Sequence, residues 1–266
     1  SVECAEDPCP LLTSCDRQSG LCVPVDESGT VASDMPSLAV DSRGRVLLAG
    51  YARERGDLVL GIWDEAAARF RYQTVDSAGD VGRYPALVVL SDDRPAIAYF
   101  DATNNAAKLA LLETDGSWRV ESIDATSSVG SDCDLAVDDD DVLHVAYRDL
   151  TYRALRYAKR VDGIWRIEYV DTGSDEKLPV ESVCPAEQRK KAKRGVGFDA
   201  HIVVQGATPV ISYFDADCGA LRLARKAASE WSLQVLDGWD ASRYTGPSAE
   251  PPTEVGRFND LALDLQ

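Results

Sequence analysis

The chain has 266 residues, 45% of them hydrophobic, enough to bury a core of ordinary size in a β domain. Its 28 Lys and Arg face 45 Asp and Glu, a formal charge of −17 at pH 7, which excludes a phosphate-backbone binder that needs a basic face. No stretch approaches the roughly 18 consecutive apolar residues of a membrane-spanning helix.

The opening, VECAEDPCPLLTSCDRQSGLCV, carries Cys4, Cys9, Cys15 and Cys22 within nineteen residues, among turn formers. That density predicts a two-disulfide module over residues 1–27; a zinc site would more often show paired Cys-x-x-Cys spacing. Disulfides imply an oxidising compartment, so the chain is expected outside the cell or on its surface. No charged-then-apolar leader opens it, and Ser1 is expected to follow a removed signal peptide.

From residue 31 onward the sequence repeats. SLAVDSRGRVLLAGY, ALVVLSDDRPAIAYF, DLAVDDDDVLHVAYR and HIVVQGATPVISYF each read as an apolar strand, a polar turn and an apolar strand ending on or beside Tyr. A polar loop, an alternating strand and a fourth strand with an aromatic near its start follow each time. Tyr51, Tyr99, Tyr147 and Tyr213 form one column at spacings of 48, 48 and 66. Phe70, Trp118, Trp165 and Trp231 form a second, at 48, 47 and 66. The longer interval holds an insertion, GSDEKLPVESVCPAEQRKKAKR, which contains the one basic run of the chain, QRKKAKR.

Four short strands per unit at a period near 48 predict an all-β fold, a β-propeller of four-stranded antiparallel blades. The blades fall at about 31–80, 81–128, 129–195 and 196–254, and residues 255–266 supply the innermost strand of the next, within a propeller portion of 31–266. Both aromatic columns are then inter-blade packing. Four blades and one strand do not close, so this chain is expected to form part of a six- or seven-bladed propeller completed by a second polypeptide, with proteolytic processing as the origin.

The pattern of IAYFD, VAYRD and ISYFD, with LRYA and LRLA, DGSW and DGIW, resembles repeats of secreted bacterial β-propellers of the sialidase-like and lectin-like kind, common in large myxobacterial surface proteins. The cysteine-rich opening resembles short modules of the same proteins. The resemblance implies a propeller that binds a glycan or protein ligand. Neither the sialidase box Ser-x-Asp-x-Gly-x-x-Trp nor an arginine triad for a sialic acid carboxylate is recognisable, so it does not extend to sialidase activity.

Aligned at the starts of the innermost strands, the repeats place Ser37, Ala86, Asp134, His201 and Asp260 in one column. Met35, Tyr84, Asp132, Asp199 and Phe258 fill the column two positions earlier, with Cys133 and Asn259 between the columns. Innermost strands surround the channel of a propeller, so Asp132, Asp134, Asp199, His201 and Asp260 are candidates to converge at one mouth. Three roles stay open: capping of strand amides, a divalent metal site, or acid–base catalysis. Oxygen ligands favour calcium or magnesium; His201 and Cys133 would draw a transition metal. A metal-dependent hydrolase or lyase is therefore the alternative to a ligand-binding module. Cys133, Asn259 and Arg148 are further ligand-contact candidates, Arg148 lying on the loop YRDLTYR with Tyr152 and Arg153.

His144 aligns with apolar residues and reads as a satisfied core histidine. Asp101, Asp149 and Asp215 recur at strand ends, where Asx turns favour Asp, and Asp138–Asp141 occupy a hairpin turn. Of the remaining cysteines, Cys184 and Cys218 are the pair most easily bridged, leaving Cys133.

Overall fold

The computed structural model describes residues 13–16, 21–24, 33–174, 176, 178, 184, 194–238 and 256–262. Apolar residues alternating with polar ones over seven to nine positions, punctuated by Asp- and Gly-rich turns, fold as antiparallel meanders. The strands are β1 (Thr13–Asp16) and β2 (Leu21–Pro24), then β3 (Ser33–Val40), β4 (Val46–Ala52), β5 (Asp57–Asp64) and β6 (Arg69–Asp76). Next come β7 (Val81–Val89), β8 (Pro95–Asp101), β9 (Ala106–Leu112) and β10 (Trp118–Asp124). The series ends with β11 (Val129–Val137), β12 (Leu143–Asp149), β13 (Ala154–Val161) and β14 (Ile164–Asp171), then β15 (Phe198–Gln205), β16 (Thr208–Asp215), β17 (Ala220–Ala227) and β18 (Glu230–Asp237). From β3 onward every four consecutive strands form one sheet in simple up-and-down order, the build of a propeller blade. Among the described residues no helix is long and apolar enough to cross a membrane.

In the β1–β2 hairpin the register sets Cys15 opposite Cys22. Cys4 and Cys9 lie outside the described residues.

The chain divides into two units, Ser1–Ala125 and Thr126–Gln266, each holding two blades. In the first, Leu47, Leu58 and Leu60 of one blade meet Leu87, Ile97 and Tyr99 of the next in a single apolar cluster. In the second, Leu155, Tyr157 and Val170 meet Ile202, Ile211, Tyr213 and Trp231, and Leu178 of the insertion joins them.

Within each unit the blades are also joined by polar groups. Tyr99 donates its hydroxyl hydrogen to Asp76 Oδ2 at 2.5 Å, and Tyr213 does the same to Asp171 Oδ2 at 2.7 Å. The tyrosine comes from the second strand of a blade and the aspartate from the end of the fourth strand of the blade before it. A cation from the third strand completes each group. Lys108 Nζ lies 2.6 Å from Asp101 Oδ2 and 3.7 Å from Asp76 Oδ2. Arg222 lies 2.8 Å from Asp171 Oδ2 and 2.5 Å from Asp215 Oδ2. Two members of the tyrosine column thus do more than pack: the hydroxyls of Tyr99 and Tyr213 end in buried ion clusters. Burial, together with Asp76, holds the Tyr99 hydroxyl far above the ordinary tyrosine range.

Glycine makes close approach possible at the same junctions. Gly82 has φ of +96°, and a Cβ there would stand 2.6 Å from the Leu58 Cα; at Gly197, φ +87°, the Leu155 Cα would be 3.2 Å away. Gly256, φ +96°, meets Leu221 in the same manner, its Cβ position 2.5 Å from the Leu221 Cβ. Residues 256–262 are therefore docked where an innermost strand begins, although they form a turn and irregular chain. Side-chain contacts and Gly256, not a strand ladder, hold them.

Arg222→Met leaves two carboxylates buried without a counter-charge and is expected to lower the unfolding free energy by about 3–5 kcal/mol. Tyr213→Phe, which removes one hydroxyl, is expected to cost about 1 kcal/mol. Urea unfolding of the two variants checks the order, and equal costs would contradict the ion-cluster account.

Candidate functional site

The site lies in the second unit, where β11, β15 and residues 256–262 begin side by side. Each innermost strand carries one extra residue there. Between Ser131 and Asp134 the chain takes three steps while β12 takes two, from Arg148 to Ala146; Phe198 to His201 against Phe214 to Ser212 repeats it. In β7, β11 and β15 the extra residue is a β-bulge in the left-handed region, Tyr84 at φ +51°, Asp132 at +49° and Asp199 at +48°; Phe258, outside any strand, takes the same region at +53°. Asp tolerates that region better than most residues, which is one reason Asp132 and Asp199 stand there.

Both acidic columns are tied to backbone. Asp132 Oδ1 accepts from the Asp199 amide at 3.4 Å, and Asp199 Oδ2 accepts from the Phe258 amide at 3.4 Å. Asp134 Oδ2 accepts from the Ile202 amide at 2.8 Å, as Ser37 Oγ accepts from the Leu87 amide at 3.0 Å in the first unit. Each links one blade to the next. Burial raises the carboxyl pKa of Asp132 above the usual range.

His201 occupies the same column as Ser37 and Asp134 but faces two carboxylates, its Nδ1 3.6 Å from Asp134 Oδ2 and 3.7 Å from Asp260 Oδ1. Its side chain keeps 36% exposure, and Asp260 keeps 89%. The nearby Asp134 carboxylate, chiefly, and those of Asp260 and Asp199 raise the His201 pKa above its ordinary value against the opposing effect of burial. Asp260 Oδ1 accepts from its neighbour's amide, that of Leu261, at 2.8 Å. Phe258, two residues before Asp260 in a turn, is 86% exposed.

The other candidates occupy different settings. Asn259 Nδ2 donates to the carbonyls of Asp199 at 2.8 Å and Gly256 at 3.1 Å, and its Oδ1 accepts from Ser212 Oγ. Arg148 is buried; its guanidinium carbon stands 3.6 Å above the Phe198 ring centroid, and the group donates to the Val196 and Arg194 carbonyls. It sits beneath the surface as a fastener of 194–198, not on the open loop where Tyr152 lies. Cys133 is half-buried between Asp132 and Asp134; burial and those two carboxylates raise its thiol pKa. Among the described residues, no group of three or more His, Cys, Asp and Glu is placed to hold a metal ion. Asp132, Asp134 and Asp199 already accept amide hydrogens, so their oxygens serve the joints between blades.

His144 is fully buried, its Nδ1 2.6 Å from the Tyr157 hydroxyl and its Nε2 3.1 Å from Asp138 Oδ2. Asp138 also closes its turn, Oδ1 accepting from the Asp140 and Val142 amides. Cys184 is buried and Cys218 half-buried, neighbouring thiols and not the bridge the sequence suggested; their mutual contact lowers the Cys184 pKa and raises that of Cys218.

The sequence reading missed Phe258 and Tyr169 as exposed aromatic groups. Phe258 had a signal: an aromatic side chain in a column otherwise holding Asp in the second unit.

No family model matches the chain, and no curated protein sequence matches it. Solved structures are similar in fold. A GH43 glycoside hydrolase engineered to display both endo-xylanase and exo-arabinofuranosidase activity is 15% identical, with 88% of this chain and 43% of that one covered at a TM-score of 0.48. A Hadza microbial sialidase is 12% identical, with 76% and 46% covered at 0.49. An exo-β-1,3-galactanase from Phanerochaete chrysosporium is 10% identical, with 83% and 54% covered at 0.48. The chain spans roughly half the length of these proteins or less.

The chain's two histidines should titrate in opposite directions from the ordinary value near 6.5. His201, with a raised folded pKa, adds stability that is full below about pH 6.5 and lost as pH rises through its folded pKa. His144, with a pKa lowered chiefly by burial, adds stability that is full above about 6.5 and lost as pH falls through its folded pKa. Proton NMR of the imidazole signals, assigned with His144→Gln and His201→Gln, is expected to show one midpoint on each side; two midpoints on the same side would contradict the geometry.

Proposed function

We propose that this chain is a carbohydrate-binding module built from propeller blades, secreted or displayed at the cell surface, that takes a neutral glycan at the innermost-strand end of its second blade pair. One observation carries the reading. Ser37 and Asp134 direct their side-chain oxygens to the next blade's amide, whereas His201 and Asp260, in the same column, remain open to solvent beside an outward-facing Phe258.

The chemistry suits a sugar. The Asp260 carboxylate accepts from hydroxyl groups, and the His201 imidazole, beside Asp134, exchanges hydrogen bonds with them. The Phe258 ring offers an apolar face to the C–H side of a pyranose or furanose. A formal charge of −17 opposes acidic glycans, which favours neutral ones. The cysteine-rich opening supports the extracellular setting.

Isothermal titration of the whole chain against neutral xylo-, arabino- and galacto-oligosaccharides tests the reading. Phe258→Ala is expected to weaken binding about tenfold, with Asp260→Asn similar and unfolding midpoints unchanged. Absence of binding to any neutral glycan, or affinity untouched in the Phe258→Ala, Asp260→Asn double variant, would refute it.

A further inference from the structure

We infer that the glycan is a polymer, and that Tyr152 and Tyr169 form an outer subsite for it at the rim of the β11–β14 blade, the one that also supplies Asp134. This inference rests on the carbohydrate reading above. Among the described residues of the second unit, the two rings form an exposed aromatic pair, 63% and 44% exposed, with centroids 6.4 Å apart and planes at 86°.

The backbone that carries Tyr152 and the ring of Tyr169 are both held by the fold. Tyr152 follows β12, and its amide donates to Asp149 Oδ1 at 2.9 Å. The flanking residues are fixed as well: the Leu150 amide donates to the Ser128 carbonyl at 2.8 Å, and the Ser128 amide to Thr151 Oγ1 at 3.0 Å. Tyr169 lies on β14, and its hydroxyl accepts from Arg156 Nη2 at 2.6 Å while the guanidinium carbon stands 4.4 Å from its ring centroid. Arg156 is itself fixed, 2.6 Å from Asp149 Oδ2 and 2.9 Å from Thr126 Oγ1. A preset ring at Tyr169 and a fixed backbone at Tyr152 lose less freedom on binding than a slack loop would, and a Tyr side chain has only two χ angles to restrict.

The repeat shows that neither tyrosine is needed to build a blade. At the position of Tyr152, three residues past the strand-end aspartate, the neighbouring repeats carry Asn104 and Cys218; at that of Tyr169, two before the closing aspartate, they carry Thr74, Ser122 and Val235. The same blade position is filled elsewhere by small, polar or aliphatic groups, so aromatic bulk and exposure are particular to this blade.

The rim and the inner site share one end of the blade. β11 begins with Val129 opposite Asp149, at the loop that carries Tyr152, and Asp134 follows along the same strand. Tyr169 is the cross-strand partner of Arg156, beside the end of β14. From the strand of Asp134, β11, to β14 is three inter-strand spacings, about 14 Å, and His201, Asp260 and Phe258 lie on the innermost segments that follow β11. A ligand reaching both places is several sugar residues long. Arg156 pairs its charge with Asp149, and the chain's net charge of −17 repels polyanions, so the polymer is neutral.

The test compares wild type, Tyr152→Ala and Phe258→Ala by affinity electrophoresis and titration, with soluble arabinoxylan and galactan against their disaccharides. Tyr152 is a surface side chain whose fixed point is its own amide, so its truncation should leave folding intact. Tyr152→Ala is expected to bind the polysaccharide about five- to tenfold more weakly and the disaccharide as wild type does, whereas Phe258→Ala weakens both. Polysaccharide affinity unchanged by Tyr152→Ala, with wild type binding, would overturn the outer subsite alone. The same result with a protein ligand lost in Tyr152→Ala would assign the ring pair to protein recognition instead. No carbohydrate bound by wild type would overturn both this inference and the reading it rests on.

Discussion

Each blade pair depends on a buried ionic knot. A tyrosine from one blade and an aspartate from the blade before it share a hydrogen bond, and a lysine or arginine ties that aspartate to the one ending the tyrosine's own strand. Such groups are costly to remove from water and are tolerated only where every charge meets its partner. Slipping one sheet against the other by a single residue would separate Tyr213 from Asp171 and leave Arg222 facing apolar side chains. The apolar clusters would accept several sliding arrangements; the knot accepts one. It thereby sets the alignment that brings β11, β15 and residues 256–262 to a common end.

The fold was largely legible in the sequence because its period is written in bulky residues. The chemistry of the junction was legible too, but only in the relation between columns. Asp76, Asp124, Asp171 and Asp237 recur at 48, 47 and 66, and Lys108, Arg156 and Arg222 at 48 and 66, in step with the tyrosines. Taken singly, each column resembles packing or a turn. What a linear reading does not provide is conformation: nothing in the letters states that Asp132 and Asp199 occupy left-handed bulges and Phe258 a left-handed turn, a geometry that leaves Phe258 exposed while Asp132 and Asp199 fasten to neighbouring amides. Arg148 shows the converse. A charged residue on a polar loop reads as exposed, yet a ring beneath it and two carbonyls draw it inward.

The acidity of the chain takes on a different sense in this light. Asp41 and Asp138 close hairpin turns, Asp101, Asp149 and Asp215 close the loops after second strands, and Asp132, Asp134 and Asp199 join blades. Aspartate is the short side chain that accepts two hydrogens at once, and this architecture uses it wherever the backbone turns or meets a neighbour. Abundant carboxylates are here a construction material, and Asp260, exposed beside His201, stands out as one whose carboxylate remains open to solvent.

The contact of Gly82 with Leu58, of Gly197 with Leu155 and of Gly256 with Leu221 has an evolutionary consequence. Because the junctions are made in the same way, a blade copied or exchanged as a unit arrives with both of its joints already fitted. A ring of such units can change its number, or accept new residues at positions such as Tyr152 and Tyr169, without reworking the seams. Substitutions at the rims leave the close glycine contacts between blades untouched.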